Sequence, residues 1–416
     1  MDRMHRFACV VLIDRHGRLL LQERDEHPVI DPEKWGFCGG HLEEGELLGR
    51  DVVLRGGRRP RRRRHRLRRG ASDRVRRRRP SAGPRPHRVR PAGPAGVPLR
   101  PRLQQAVRVS TRVTVHQVHH DGAEDVVVAP SGRHEGSVYT GTVDGAVLRV
   151  GPDGSVEQVG STGGRPLGLE IDPEGRLLVC DAHRGLLRMD PDTGAVERLL
   201  AEVDGTAMVF TNNAAIGSDG TTWFSDSSRH YGIERWKDDF VQDTRSGRLL
   251  SLAPDGTVTT VLDGLAFANG VALSADESFV VVAETRARTL VRRWLTGDRA
   301  GTRDLLAGDL PGYPDNIARG SDGLIWVSIA SPVDPVVERL GSAPMWARKA
   351  VTRIPERLQP KPAHTCRVQA YDDEGRLVHD LDLDTPDFHM VTGVREHEGR
   401  VWLGSLHEPA VAVVDL

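Results

Sequence analysis

Residues 211–226 read TNNAAIGSDGTTWFSD. A polar step at Asn212 and Asn213 leads into an apolar run, a Ser-Asp-Gly turn and a second apolar run. That is the pattern of two strands joined by a tight hairpin. The pattern recurs as EDVVVAPSG from Glu124, LGLEIDPEG from Leu167, NGVALSADE from Asn269, DNIARGSDG from Asp315 and VTGVREHEG from Val391. In every copy the first residue stands eight positions before a turn residue: Gly132, Gly175, Gly220, Glu277, Gly323 or Gly399. The second strands include RLLVCD, TTWFSD, SFVVVAE, LIWVSI and RVWLGS.

Further hairpins fill the gaps between copies: AVLRVGPDGSVEQV, LLRMDPDTGAVERLL and RLLSLAPDGTVTTVL. Each unit therefore holds four strands in roughly 40–55 residues, the size of a propeller blade. Six copies predict an all-β, six-bladed β-propeller over residues 105–416. The last strand, AVAVVDL, is placed to pair with RVSTRVTVHQ near residue 110, closing the ring and hiding two edges.

Equivalent positions in radially arranged blades lie on a ring about the central axis. Of the six leading positions, Glu124, Asn212, Asn269 and Asp315 carry carboxylate or carboxamide oxygens, and Leu167 and Val391 do not. Oxygen donors of this kind are the ligands of a hard divalent cation. Asn and Asp also serve turns by bonding local backbone, and the Asp-Gly dipeptides fit that role. Asn212, Asn269 and Asp315 precede apolar strands instead, which favours a shared site in the channel.

With these residues in view, the chain resembles the strictosidine-synthase-like branch of the senescence-marker/gluconolactonase/paraoxonase propellers. The resemblance covers about residues 120–416 and rests on GRPLGLEID, FTNNAAIGSDGTTWFSDSS, SGRLL, FANGVALSADE, YPDNIARGSDGLIWVS and EHEGRVWLGSLHEPAVAVVDL. It implies a calcium or other divalent ion in the channel, held by Glu124, Asn212, Asn269 and Asp315 with Asn316 beside them. It also implies departures. The glutamate that acts as base in strictosidine synthase falls at Thr392, which has no carboxylate to take a proton. The histidine of paraoxonase-type members falls at Leu167. Amine–aldehyde condensation and a histidine-driven lactonase mechanism thus lack their residues, which leaves metal-assisted hydrolysis. Asp315 is the candidate for both ligand and proton acceptor, as gluconolactonase-like members suggest.

Two segments are placed to shape a pocket. One, residues 228–243, offers His230, Tyr231 and Trp236 for a rim. The other, residues 332–360, interrupts the repeat, and its Val336, Leu340, Met345 and Val351 suggest a helical segment over one face. A surface loop that only covers apolar area is the alternative reading of this second segment.

The first hundred residues follow a different pattern. Residues 6–46 look like the opening of a Nudix hydrolase, including the first half of its signature from Gly40 to Glu46. The glutamate-rich helix that would hold Mg²⁺ on a diphosphate is missing. An arginine- and proline-rich stretch takes its place, with 20 Arg and one acidic residue, Asp73, between residues 55 and 102. Such a tract buries no core and is expected to be disordered across residues 47–104. It reads either as an anionic-surface tail or, because it breaks a motif in the middle, as out-of-frame translation. The formal net charge of zero averages these unlike pieces and says little about partners.

Nucleic acid is not the expected partner despite the arginines, and no run of about 18 apolar residues indicates a membrane span. Cys9, Cys38, Cys180 and Cys366 show no paired spacing, so free thiols in a reducing cytoplasm are expected. The leading expectation is a metal-dependent, calcium-type hydrolase of a lactone, ester or similar small molecule. A non-catalytic binding propeller and a Nudix-type diphosphate hydrolase are the alternatives.

Overall fold

The computed structural model describes residues 113–354 and 364–416, together with the backbone of short strand pairs between Phe7 and His41. Phe7–Val10 pairs with Cys38–His41, Leu12–Ile13 with Leu19–Leu20, and Gln22–Glu23 with Trp35–Gly36. The Nudix-like side chains of 1–46 and the arginine-rich segment of 47–104 lie outside the described residues.

Six four-stranded antiparallel sheets follow. Blade I runs from Val127–Val128 to Val156–Ser161, blade II from Pro166–Ile171 to Val196–Leu200, and blade III from Thr211–Ile216 to Val258–Leu265. Blade IV runs from Ala268–Leu273 to Arg303–Ala307, and blade V from Gly312–Arg319 to Leu377–Leu383. Blade VI joins Val391–His397, Arg400–Ser405 and Ala410–Asp415 to Val113–Gln117 from the other end of the repeat region. Val414 opposes Val113 and Ala410 opposes Gln117, so the predicted closure is present.

Blade packing explains why the second strands read as unbroken apolar runs. In Phe279–Glu284, Phe279, Val281 and Ala283 pack toward blade V, while Val280 and Val282 pack toward blade III. A strand buried on both faces needs apolar residues at every position. One such cluster fills each of the six blade interfaces among the described residues. A seventh, of Leu167, Ala182, Phe210 and Phe267, sits at the mouth of the channel.

All six turn residues singled out in the sequence take positive φ, from Glu277 at 54° to Gly132 at 87°. Glycine adopts this backbone without a Cβ penalty, whereas glutamate is strained there. Glu277 has compensation: its carboxylate accepts hydrogen bonds from the Ser218 backbone N–H at 2.8 Å and the Ser218 hydroxyl at 2.9 Å, tying two blades together.

Candidate functional site at the mouth of the channel

The leading position of the repeat acquires its meaning from a break in the strand ladder. In five innermost strands the register slips between Pro166 and Leu169, Thr211 and Ala214, Ala268 and Val271, Pro314 and Ile317, and Val391 and Val394. The two residues inside each break are freed from regular pairing, and bulges of this type re-aim side chains beside functional sites. Their first members are Leu167, Asn212, Asn269, Asp315 and Thr392. In blade I the same role falls to Glu124, whose N–H donates to the Gly141 carbonyl just ahead of the short inner strand.

This alignment corrects one expectation. The sixth position of the ring is Thr392, not Val391. The blade VI hairpin closes with His397 opposite Arg400, whereas blade III closes with Ile216 opposite Thr222. Counting back from the turn therefore overshoots by one residue. Val391 is fully buried in the core between blades V and VI, and Thr392 faces the channel.

Glu124, Asn212, Asn269, Asp315 and Thr392, with apolar Leu167 completing the ring, form the polar end of a cavity of about 210 Å³. The orientation of one amide is fixed by proton accounting. Ser227 Oγ donates its only proton to the Ala268 carbonyl at 2.6 Å. It must then accept from Asn212 Nδ2 at 2.9 Å, which turns Asn212 Oδ1 away from Ser227. Asn269 Nδ2 similarly donates to Thr285 Oγ1 at 3.2 Å. Asn212 Oδ1, Asn269 Oδ1 and Glu124 Oε2 are all buried with no hydrogen-bond partner. Buried polar atoms are normally paired, so three orphaned oxygens at one end of one cavity call for an occupant.

The charges say the same. Burial raises the Glu124 carboxyl well above the ordinary range; Asp315 and Asp125 raise it further, while Arg165 and the Asn316 carboxamide oppose the rise. Asp315 is pushed up to about 7, again first by burial. Two carboxyls held near each other in a dry site favour protons or a cation. The donor set fits a hard divalent ion: carboxylate and carboxamide oxygens, with neither thiolate nor imidazole. Among the described residues no group of three His, Cys, Asp or Glu side chains is placed to hold an ion, so an ion at the ring would need the amide oxygens as ligands.

Sequence reasoning missed a second tier. The other members of the register breaks alternate around the ring: Asp125, Gly168, Asn213, Gly270, Asn316 and Gly393. Each glycine leaves room for the polar residue of the next blade. A Cβ on Gly168 would stand 2.6 Å from Asn213 Cα, one on Gly270 2.7 Å from Asn316 Cα, and one on Gly393 2.7 Å from Asp125 Cα. Asp125 Oδ2 accepts from the Leu169 N–H at 2.9 Å, and Asn213 Oδ1 accepts from the Val271 N–H at 2.8 Å. Each of these two side chains thus pins the neighbouring blade where its ladder is broken. Asn316 is likewise buried and does not line the cavity, and its carboxamide interacts with the Glu124 carboxyl instead of pinning the next blade. The alternation of polar residue and glycine is readable at the second position of five copies and, one residue later, in the sixth.

The cavity is roofed by two insertions. An antiparallel blade returns to the channel-mouth end after two strands, so loops between second and third strands project over the ring. In blade III that loop forms α1, Trp236–Gln242, and in blade V it forms α2, Pro335–Gly341, and α3, Met345–Val351. Asp334 caps α2, accepting from the Val336 and Val337 N–H groups, with Pro335 fitting the first turn. Glu338 on α2 pairs with Arg286 at 2.9 Å and accepts from the Tyr313 hydroxyl at 3.0 Å. Arg348 on α3 donates to the Gln242 carbonyl of α1 at 2.9 Å.

Of the predicted rim, Trp236 lines the cavity, whereas His230 and Tyr231 are not among the lining residues. The Tyr231 hydroxyl is instead held by Gln242 Oε1 at 3.0 Å. Val336, Leu340 and Val351 also line the cavity; Met345 is 45% exposed on the outside. Cys180 and Cys366 are buried and unpaired in blades II and V.

Comparisons with known proteins agree with this architecture. Residues 125–336 match the family described as SMP-30/Gluconolactonase/LRE-like region. The chain is 34% identical over 265 residues to Protein STRICTOSIDINE SYNTHASE-LIKE 10 of Arabidopsis thaliana, spanning 61% of this chain and 70% of that protein. Its fold is similar to that of a gluconolactonase from Xanthomonas campestris, with a TM-score of 0.54 and 17% identity over 74% of this chain and 90% of the other. It is also similar to that of the calcium-binding protein regucalcin from Agrobacterium tumefaciens, with a TM-score of 0.50 and 14% identity over 72% and 90% of the two chains. The chain belongs to the SMP-30/gluconolactonase/LRE-like family.

Proposed function

We propose that the protein is a divalent-cation-dependent hydrolase, with calcium the expected ion, acting on a lactone, ester or similar small molecule at the mouth of the channel. The observation that carries this reading is the set of orphaned oxygens, Glu124 Oε2, Asn212 Oδ1 and Asn269 Oδ1, on the cavity that Asp315 also lines. A propeller serving only as a scaffold has no use for them. Glu124, Asn212, Asn269 and Asp315 would hold the ion, with Asn316 next to Asp315 in the chain. A bound cation at such a site supplies Lewis acidity toward a carbonyl oxygen.

The remaining chemistry is assigned to the chain. Ser227 and Thr285 hold the two carboxamides with their oxygens presented to the cavity. Asp315 takes the proton lost by the attacking water and returns it to the leaving alkoxide. Hydroxide adds to the carbonyl carbon, the acyl C–O bond breaks, and a hydroxy acid or an acid and an alcohol result. Thr392 Oγ1 donates to the Glu124 backbone carbonyl at 2.8 Å, so it anchors the ring rather than moving protons. The two buried, unpaired thiols favour a reducing compartment such as the cytoplasm. No helix among the described residues is long and apolar enough to cross a membrane.

The test is metal content and turnover. Purified protein is expected to carry or take up one divalent ion and to hydrolyse lactones or aryl esters. Asp315→Asn is expected to lower kcat/KM by about 100-fold or more, and Asn269→Ala to weaken the ion. Protein that binds no divalent ion, or activity indifferent to both changes, contradicts the reading.

A further inference from the structure

Polar and apolar surfaces are segregated in the cavity. Its polar groups gather at the ring, while the walls and roof present Phe210, Phe267, Met390, Trp236, Phe240 and Leu340. The aromatic rings brace one another edge to face: Phe210 against Phe267 at 5.4 Å, Phe240 against Phe267 at 6.3 Å, and Phe240 against Tyr313 at 4.9 Å. Of the polar groups on the walls, Tyr313, Thr285, Thr352 and one oxygen of Asp334 are already engaged, and Lys237 and Ser331 complete the polar lining. The Tyr313 hydroxyl donates to Glu338 and accepts from the Asp334 N–H at 3.2 Å, and the Asp334 carboxylate caps α2. Thr285 Oγ1 accepts from Asn269.

We propose that this cavity selects a lactone or ester with an apolar acyl or aryl body and rejects polyhydroxylated sugar lactones. That the ligand is a lactone or ester rests on the function proposed above; that its body is apolar rests on the walls alone. A ligand with one carbonyl places its polar end on the ring and its chain among the aromatic rings. A sugar lactone brings several hydroxyls to walls that are mostly apolar, with few groups to receive them, and each unmatched hydroxyl costs roughly tenfold in affinity. Conversely, each methylene buried adds roughly three- to fourfold until the cavity is filled.

The experiment uses the full-length protein with added Ca²⁺ and two readouts. The first is kcat/KM on γ-lactones whose side chains lengthen from methyl to nonyl, with gluconolactone alongside. The second is quenching of tryptophan fluorescence by the matching γ-lactams, which are not hydrolysed. The expected result is kcat/KM rising about threefold per methylene, gluconolactone at least about 100-fold below the best substrate, and lactam affinity following the same series. Quenching is expected to disappear in Trp236→Phe, and Leu340→Gln to raise KM for the longest lactone about fivefold or more. Gluconolactone turned over as well as the apolar series, or turnover independent of chain length, overturns the inference and leaves the hydrolase reading intact. Lactams that bind with the expected series while no lactone is hydrolysed support the ligand class and sink the hydrolase reading. No lactam binding and no hydrolysis overturns both.

Discussion

At the scale of single residues, the site depends on which way two amides point. Ser227 spends its proton on the Ala268 carbonyl, so Asn212 has no choice but to present its oxygen to the cavity. Ser227→Ala removes that constraint. The ion affinity is expected to fall about 10- to 100-fold, while the ion-free protein loses only about 1–3 kcal/mol for the lost hydrogen bonds. Calorimetric titration of the ion beside a denaturation curve checks both, and equal affinity in the variant contradicts the role. The carboxyls carry a pH signature. Glu124 and Asp315 are raised in the folded protein, Asp315 to about 7, so the folded state keeps protons that the unfolded chain has released. Ion-free stability is therefore full at acid pH and declines as pH rises from the ordinary carboxylate range toward about 7. Ion binding at the proposed site is expected to run the opposite way, tightening across that window and releasing protons. Titrations at about pH 6 and pH 8 in buffers of different ionisation enthalpy measure this; a flat affinity without proton release contradicts it.

At the scale of elements, the register break in the inner strand is the device that makes a ring from a repeat. The sequence made most of it legible, because spacing to the turn is rigid wherever hairpins share one length. It failed at Val391 and Thr392, where the blade VI hairpin is one residue shorter. Hairpin length is set by local turn chemistry that apolar periodicity does not encode. The glycine beside each ring residue in blades II, IV and VI belongs to the same device. A Cβ on Gly270 would lie 2.1 Å from the Ile317 nitrogen and 2.6 Å from the Asn316 carbonyl carbon. Backbone cannot swing aside as a side chain can, so Gly270→Ala is expected to cost about 3 kcal/mol. Gly256 has φ +87° and open space around it, and Ala there is expected to cost only about 1–2 kcal/mol. Chemical denaturation of the two variants separates a clash between blades from simple turn strain. Equal losses would contradict the tight packing of inner strands.

At the scale of the whole molecule, the six interblade cores were implied by second strands that are apolar on both faces, as FVVVAE shows. Closure was implied by AVAVVDL at the far end of the repeat. The roof was only half legible. Val336, Leu340 and Val351 were expected over one face and line the cavity, yet their partners Phe210, Phe240, Phe267 and Tyr313 lie far apart in sequence. Only the return of two separate loops to one end of the propeller brings them together. His230 and Tyr231 stand close to Trp236 in the chain and still miss the cavity, because the turn of helix starting at Trp236 carries the contact. Ring closure has its own test. Removing residues 410–416 deletes the third strand of blade VI and bares the edges of Arg400–Ser405 and Val113–Gln117. The truncated chain is expected to lose cooperative unfolding and to self-associate through those edges; a monomer that melts like the parent contradicts the velcro role of this strand.

The central claim is that the ring of Glu124, Asn212, Asn269 and Asp315 binds a divalent cation. Calorimetric titration of Ca²⁺ into chelator-stripped full-length protein tests it most directly, with Asp315→Asn and Asn269→Ala titrated in parallel. The account predicts one site per chain in the parent, weakened about tenfold or more in each variant while all three proteins remain folded. A folded parent that takes up no Ca²⁺, or variants that bind it as tightly as the parent, would contradict the account.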